Sequence, residues 1–211
     1  MIDNPLSLTP ETLLEGLHIL HARDPDLATI LDRFGPPPIW ARQPGFPTLI
    51  HIILEQQVSL ASALATFTRL LALVAPLTPS GFLQLDDATL RAIGFSRQKA
   101  GYARHLAASI VEGELDLDGL ATLDDNAVRT QLVKLKGIGP WTADIYLLMA
   151  LQRPDVWPVG DLGLVVGVQE IKQWPQRPSA PDMEAIGEAW RPWRAVAARL
   201  LWHYYLNTRR A

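Results

Sequence analysis

The sequence predicts an all-α fold, because three patterns recur along its 211 residues. Apolar residues are spaced for one face of a helix, as the leucines between residues 13 and 20 show. Capping residues and breaks separate the apolar segments, and Thr9-Pro10-Glu11 is typical of a helix start. Alternating runs of β-branched and aromatic residues, which are typical of strands, are absent from the sequence.

The start and stop signals place the expected helices in order. We expect helices after Thr9, over about 48–74, from Asp86 to about Gly94, over 96–111, from a capping box at Thr122, over 161–172 and over 183–207. Two proline-rich stretches, 35–47 and 174–181, are expected to be loops between packed helices. Neither stretch is long enough to separate independent domains.

The composition excludes several kinds of site. Hydrophobic residues make up 48% and charged residues 19% of the chain, which is typical of a globular protein. There is no cysteine, which excludes disulfides, thiolate zinc sites, cysteine nucleophiles and iron–sulfur clusters and fits a cytoplasmic location. We expect no secretion signal and no membrane segment, since the apolar runs are too short. The formal charge of −3 argues mildly against nucleic-acid binding, so any DNA site must be local.

The most specific motif is a glycine-rich turn between two predicted helices. Gly137 and Gly139 flank Ile138, which can fill the gap between the helices. The amides of the turn and of the next helix would then point outward and, with the helix dipole, bind phosphate. Such a site needs little side-chain charge, and Lys134 and Lys136 add local attraction. The alternative is a plain αα-hairpin that ends in a glycine cap.

A weaker version of this pattern lies earlier in the chain. Residues 90–97 and 132–139 both place a glycine turn between two predicted helices. We attribute the similarity to shared helix–turn–helix physics rather than to an internal repeat.

The hairpin is followed, about twenty residues on, by the loop 156–160 and then by Asp161. With this combination the sequence resembles the helix–hairpin–helix DNA glycosylase superfamily. Three further stretches, 53–59, 94–100 and 190–194, make it most similar to the 3-methyladenine DNA glycosylase II (alkylbase glycosylase) branch. The similarity spans about 45–205.

The resemblance implies a two-lobed helical bundle. We expect one lobe over about 45–110, carrying the residue that wedges into DNA. The second lobe is expected to combine 1–44 with 111–211 and to carry the hairpin at 122–151 and the catalytic aspartate. Because helical segments start almost at once, we expect the N-terminal β-rich domain of larger members to be absent.

The resemblance also implies a reaction in base excision repair. A monofunctional glycosylase would hydrolyse the N-glycosidic bond of alkylated purines, such as 3-methyladenine and 7-methylguanine, and leave an abasic site. Bifunctional relatives carry a lysine nucleophile where this chain has Pro140-Trp141, so we expect no lyase activity. Asp161 would be catalytic, because an ionised carboxylate stabilises positive charge developing on the sugar. Asp161 can equally be a helix N-cap, and the two roles can coexist.

The base pocket implied by the family pattern has Trp141 and Trp202 as its walls, since cation–π contact favours a positively charged base. Ile145 and Leu162 occupy family positions that are often aromatic, so we expect a more open pocket. Core packing is the alternative role for either tryptophan.

The expected DNA contacts also follow from the family pattern. Gln57 matches the wedge that fills the gap left by a flipped base, although it can also line or cap a helix turn. The expected backbone contacts are Lys136, Gly137, Ile138, Gly139, Thr142 and Arg97, with Lys99 as a further phosphate contact. Surface solvation is the alternative for Arg97 and Lys99.

No cofactor is expected to be required, but a potassium or sodium ion can bind the carbonyls of Val133, Leu135 and Ile138, as in relatives.

Two other functions stay open at this point. The chain can be a binding module that senses damaged DNA without excising the base, although Asp161 favours the enzyme. It can also excise deaminated or etheno-adducted purines, but these neutral bases need more help at the leaving group, and no acid for this is evident. The expected partner is double-stranded DNA containing damaged bases, bound by a monomer.

Overall fold

The computed structural model describes residues 7–209, and the regular secondary structure of this range is helical. Its α-helices are α1 Pro10–Arg23, α2 Pro25–Phe34, α3 Phe46–Glu55, α4 Leu60–Leu73, α5 Pro79–Leu83, α6 Asp87–Ala92, α7 Arg97–Val111, α8 Asp125–Leu132, α9 Pro140–Met149, α10 Leu162–Ile171, α11 Ala180–Glu188 and α12 Arg194–Thr208. A short 3-10 helix, Gly119–Thr122, precedes α8. The predicted all-α fold is confirmed. No helix within the described range is long and apolar enough to cross a membrane.

Side chains at the helix starts explain most of these boundaries. Thr9 is the N-cap of α1, as the sequence predicts, and Ser96 is the N-cap of α7. The capping box predicted at Thr122 is wrong, because Asp124 caps α8 by accepting a hydrogen bond from the Ala127 N–H at 2.8 Å. Thr122 instead ends the 3-10 helix that precedes this cap.

Two long helices expected from the sequence are each divided in two. The apolar run 48–74 breaks where Gln57 takes a left-handed backbone conformation, with φ +57°, after which Ser59 caps α4. The segment 183–207 is interrupted around Pro192, which lacks the N–H that a continuous helix needs.

The chain forms two compact units. The central unit comprises residues 42–146, and the terminal unit combines the residues up to 41 with those from 147 onward. The division falls within α9 rather than near residue 110, where we expected it, and it assigns the hairpin to the central unit. The physical reason is that the hairpin packs against side chains of α7 and of the turn after α3.

The core of the central unit is built around α3, whose three isoleucines are fully buried. Helix α4 packs on α3, and α5 packs on α7. Phe82 lies between Phe46 and Phe95, with ring centroids 6.0 Å and 5.9 Å away. This packing fixes the two helices, α3 and α7, that support the hairpin.

In the terminal unit, α12 packs against α1, α2 and α10, and its first two turns are buried. The buried side chains include Arg199, whose guanidinium donates to the carbonyls of Ile39 (2.8 Å) and Leu148 (2.7 Å) and to the Gln152 side chain (3.0 Å). Burial lowers the pKa of Arg199 to about 9. These bonds join α12 to the segment before residue 41 and to the end of α9.

Candidate active site and nucleic-acid interface

The glycine hairpin is a tight turn from α8 to α9. The Leu135 N–H donates to the Leu132 carbonyl (3.1 Å), and the Ile138 N–H donates to the Leu135 carbonyl (3.0 Å). Ile138 is buried, so its side chain packs into the protein as the motif predicts. Regular helical bonding in α9 begins with the Ala143 N–H, which donates to the Gly139 carbonyl at 3.1 Å. The turn therefore ends at a helix N-terminus, where the dipole favours anions.

The two glycines of the hairpin differ in whether the structure has room for a side chain. Gly137 has φ +89°, and a Cβ there would overlap the ring of Tyr102, so both the backbone conformation and the packing exclude a side chain. Gly139 is exposed, and a Cβ there would meet no atom within 4 Å. The protein itself leaves room at Gly139, which is the space that an approaching ligand backbone would use.

Gln56 holds the hairpin from the turn after α3. Its side-chain amide donates to the Gly137 carbonyl (2.9 Å) and to the Thr142 hydroxyl (3.0 Å). Thr142 is buried, so its hydroxyl supports the hairpin, and only its backbone at the start of α9 suits the expected phosphate contact. Gln56 and Tyr102 are site residues that sequence reasoning missed, and the polar pair at 56–57 within an apolar run was the available signal.

In the terminal unit, Asp161 is the N-cap of α10. Its Oδ1 accepts a hydrogen bond from the Leu164 N–H (3.0 Å) and another from the Trp202 indole N–H (2.8 Å). Gly163 makes this contact possible, because a Cβ there would lie 3.2 Å from both the carboxylate and the indole. The expected capping role is confirmed, and the indole bond fixes how the carboxylate is oriented.

The glycine hairpin and Asp161 both lie in a segment of the chain that matches a known protein family. Residues 50–192 match the HhH-GPD superfamily of base excision DNA repair proteins, and this range contains both features. The chain belongs to this superfamily. The prediction made from the motifs is thereby confirmed.

Relatives in the superfamily match most of the chain. The Schizosaccharomyces pombe 3-methyladenine DNA glycosylase Mag1, solved in complex with abasic DNA, has a TM-score of 0.82 and 25% identity and covers 89% of this chain and 95% of Mag1. A DNA-3-methyladenine glycosidase from Bacillus halodurans has a TM-score of 0.75 and 28% identity, over 96% and 92% of the two chains. YfjP of Bacillus subtilis is 28% identical over 194 residues, which are 88% of this chain and 68% of YfjP. The chain spans only about two fifths of some other curated relatives, at 39% and 40% of their length.

Four residues were expected from the sequence to line a base pocket, and that expectation stays a prediction. Trp202 and Leu162 lie in the terminal unit, where Trp202 is half-buried and Leu162 is 58% exposed. Trp141 and Ile145 lie in the central unit. Ile145 is buried, so it packs in the interior, whereas Trp141 is half-buried.

A further aromatic residue, Trp40, accompanies Trp202 and was not found from the sequence. The two rings meet edge to face, with centroids 6.4 Å apart. Trp40 has φ +49°, which is unusual for a bulky side chain. The bond from Arg199 to the carbonyl of the preceding residue, Ile39, holds this segment in place. No sequence pattern marks a contact that joins residues so far apart.

The residue expected as the DNA wedge, Gln57, is exposed at the turn between α3 and α4. Two side-chain contacts hold this turn at the C-terminus of α3. Lys99 Nζ donates to the Leu54 carbonyl (2.7 Å), and Arg42 binds both carboxylate oxygens of Glu55 (2.9 and 2.7 Å). Burial lowers the pKa of Lys99. The expectation that Lys99 contacts phosphate is therefore replaced by a role in supporting the turn.

The cations expected near DNA phosphates include Lys134, Lys136 and Arg97. All three are exposed, and within residues 7–209 none of their side chains has a hydrogen bond or ion pair. Their charge is therefore available for an anion. No group of three or more histidine, aspartate or glutamate side chains in the described range can hold a metal ion.

The carbonyls expected to bind an alkali ion belong to the same turn. The Leu135 carbonyl accepts the Ile138 N–H, which closes the turn around this oxygen. Because a carbonyl oxygen has two lone pairs, it can also coordinate a cation. The potassium or sodium ion expected at the carbonyls of Val133, Leu135 and Ile138 stays a prediction.

Proposed function

We propose that this protein is a monofunctional DNA glycosylase that hydrolyses the N-glycosidic bond of alkylated purines and leaves an abasic site. The observation that carries the proposal is the Asp161 carboxylate, which is fixed at a helix N-terminus by the Trp202 indole in a chain that belongs to the HhH-GPD superfamily. Two relatives whose names state activity on 3-methyladenine, from S. pombe and B. halodurans, support the choice of substrate.

In the proposed reaction, the C1′–N bond breaks and its electron pair leaves with the base. Alkylation at N3 or N7 makes the purine positively charged, so it departs as a neutral base without an acid. The sugar becomes positively charged, and the Asp161 carboxylate stabilises it electrostatically and orients the attacking water. Water supplies the hydroxyl at C1′ and releases a proton.

The same positive charge distinguishes the damaged base from a normal one. The half-buried ring of Trp202, with Trp40 at its edge, offers an aromatic surface near Asp161. A cationic purine gains cation–π energy on such a surface that a neutral purine lacks. We infer that Trp202 contributes to base selection as well as to holding Asp161.

The absence of a lysine after the hairpin supports hydrolysis without strand cleavage. Pro140-Trp141 occupies the position of the lyase nucleophile in bifunctional relatives, and neither residue carries an amine. Lys136 lies before the turn and is exposed. We therefore propose that the reaction stops at the abasic site.

We propose that the hairpin binds one DNA strand through its backbone. The amides at Gly137, Ile138 and Gly139 and the N-terminus of α9 would bind phosphate, and Lys136 would add long-range attraction. Gln57 would enter the gap left by the flipped base. An alkali ion on the hairpin carbonyls would add positive charge beneath the phosphate. We further propose that the protein acts as a monomer on duplex DNA.

A panel of duplexes, each carrying one kind of lesion, tests the proposal. The lesions are methylated purines, hypoxanthine and ethenoadenine, and the measurements are free base released and strand cleavage with and without alkali. We expect release of methylated purines to be fastest, because their leaving groups are charged, and cleavage to require alkali.

Three results would contradict this account. Tight binding of abasic DNA without release of any base would identify a damage-sensing module. Release of only hypoxanthine or ethenoadenine would assign another lesion class. Strand cleavage without alkali would show that the enzyme is bifunctional.

A further inference from the structure

The turn between α6 and α7 shares two features with the glycine hairpin. Gly94 has φ +108°, as Gly137 has φ +89°. A Cβ at Gly94 would lie 2.8 Å from the Thr66 hydroxyl, so this position is also closed to a side chain. The next residue, Phe95, is buried, as Ile138 is in the hairpin. Both stretches of sequence therefore place a glycine with positive φ before a buried apolar residue.

A cavity of about 460 Å³ lies beside this second turn, and three arginines line it. Arg91 comes from α6, while Arg97 and Arg104 come from α7. The one carboxylate among the lining residues is Asp87. We call this cavity the arginine groove.

Most of the positive charge of the arginine groove is not neutralised. Arg104 donates to the Asp87 carboxylate at 2.9 Å and is the paired member. Arg91 and Arg97 are exposed, and their guanidiniums have no hydrogen bond or ion pair within the described residues. Two uncompensated cations beside one cavity attract an anion.

The spacing along α7 suits an extended anion. Arg97 and Arg104 lie two helical turns apart on one face, about 10 Å along the axis. Gly101 lies between them on that face, and a Cβ there would meet no atom within 4 Å. The groove is therefore open at Gly101, where no side chain fills it. Two cations at this separation can contact different phosphates of one DNA strand.

The groove and the hairpin are joined by one helix. Tyr102 of α7 packs under Gly137 of the hairpin, and it follows Gly101 of the groove directly. The Gln98 side chain donates to the Tyr102 hydroxyl at 2.5 Å, one turn earlier on the same helix. Adjacent faces of α7 thus serve the two turns, which fixes the groove relative to the hairpin within the central unit.

We propose that Arg91, Arg97 and Arg104 form a second binding site for the phosphodiester backbone of duplex DNA, in addition to the hairpin. The inference rests on the proposed function and extends it, since it gives the turn between α6 and α7 a role of its own. Arg104, fixed by Asp87, is a positioned donor, and the two unpaired arginines supply the net charge.

The test compares wild type with the double variant Arg91→Gln/Arg97→Gln, which removes two exposed groups that have no partners in the described structure. Affinity for a fluorescent duplex with one abasic site is measured across salt concentrations. We expect binding to weaken roughly threefold to tenfold near 0.1 M salt and the slope of log K against log salt to fall by about 2.

A matched control is Arg177→Gln, which removes an exposed arginine from the loop before α11 in the terminal unit. It should leave the salt slope at the wild-type value. An unchanged slope in the double variant, or an equal change in Arg177→Gln, would overturn the proposal. If the double variant loses only binding of inorganic pyrophosphate while duplex affinity is unchanged, the groove is a free-anion site and the proposal is wrong.

A hairpin variant separates this inference from the proposed function. Gly139→Ala places a methyl group where phosphate is expected to approach the hairpin. If Gly139→Ala weakens duplex binding and the arginine variant does not, the groove proposal fails while the hairpin site stands. If neither variant affects duplex binding, the proposed DNA-binding function itself fails.

Discussion

At the residue scale, Asp161 has two roles that the structure shows to be compatible. The same carboxylate oxygen caps α10 through the Leu164 N–H and accepts the Trp202 indole bond. An N-cap contributes about 1 kcal/mol to stability, which is enough to keep an aspartate at this position without any chemistry. The indole bond is the additional feature, because a cap does not need a second donor from a helix some forty residues away.

The role of a residue can be predicted from the sequence when that role depends on the spacing of nearby residues. Asp161 precedes an apolar helical segment, and the spacing of Gly137 and Gly139 predicts a turn. Gln56 and Trp40 could not be assigned in this way. Gln56 acts on the hairpin 81 residues away, and Trp40 meets the ring of Trp202. Such contacts depend on tertiary packing, which one sequence does not encode in any short pattern.

Replacing Trp202 by phenylalanine separates the indole bond from the aromatic surface. We expect Trp202→Phe to lower the rate of base release about tenfold, because the carboxylate loses a donor that orients it, while affinity for abasic DNA is retained. Single-turnover kinetics on methylated DNA measures the rate.

Trp40→Phe is the matched control, since it makes the same change in the neighbouring ring and keeps the bond to Asp161. It should reduce the rate less than Trp202→Phe does. Equal effects of the two substitutions would show that the aromatic surface alone matters and that the indole bond does not position the carboxylate.

At the element scale, helix starts were predicted better than helix interruptions. Caps such as Thr9 and Asp161 are local signals, and the structure confirms them. The break near Gln57 was missed because apolar residues continue on both sides of it, so the helical period hides the turn. Ser59 was the one local signal of a new helix start in that run.

The hairpin is an element in which two glycines have separable roles. We expect Gly137→Ala to lower the free energy of unfolding by about 2–4 kcal/mol, because the new methyl group overlaps the Tyr102 ring at a left-handed position. Gly139→Ala should change it by less than about 1 kcal/mol, since the space there is open. Urea unfolding checks both values.

DNA binding by the folded Gly139→Ala variant completes this comparison. Its affinity for abasic duplex should fall, because the methyl group occupies the side from which the phosphate approaches. Wild-type affinity in this variant would contradict the proposed position of the phosphate. Wild-type stability in Gly137→Ala would contradict the packing of the hairpin on α7.

At the scale of the whole molecule, a net charge of −3 and DNA repair are compatible because positive charge is local. In the proposed DNA contacts, the hairpin would use backbone amides and a helix N-terminus, and the arginine groove would use two cations without partners in the described structure. Apolar spacing and capping residues predicted the helical class correctly. The boundary of the two units within α9 could not be read from the sequence, because the helix continues through it.

The most direct test of the central claim is the single-turnover rate of base release from methylated duplex DNA by Asp161→Asn. Asparagine keeps an oxygen for the N-cap, so the fold should be preserved, and Asp32→Asn, at a 71% exposed carboxylate, is the control. We predict a loss of about 100-fold or more for Asp161→Asn, near-wild-type affinity for abasic DNA, and no effect in the control. Release by a folded Asp161→Asn protein at the wild-type rate would contradict the account.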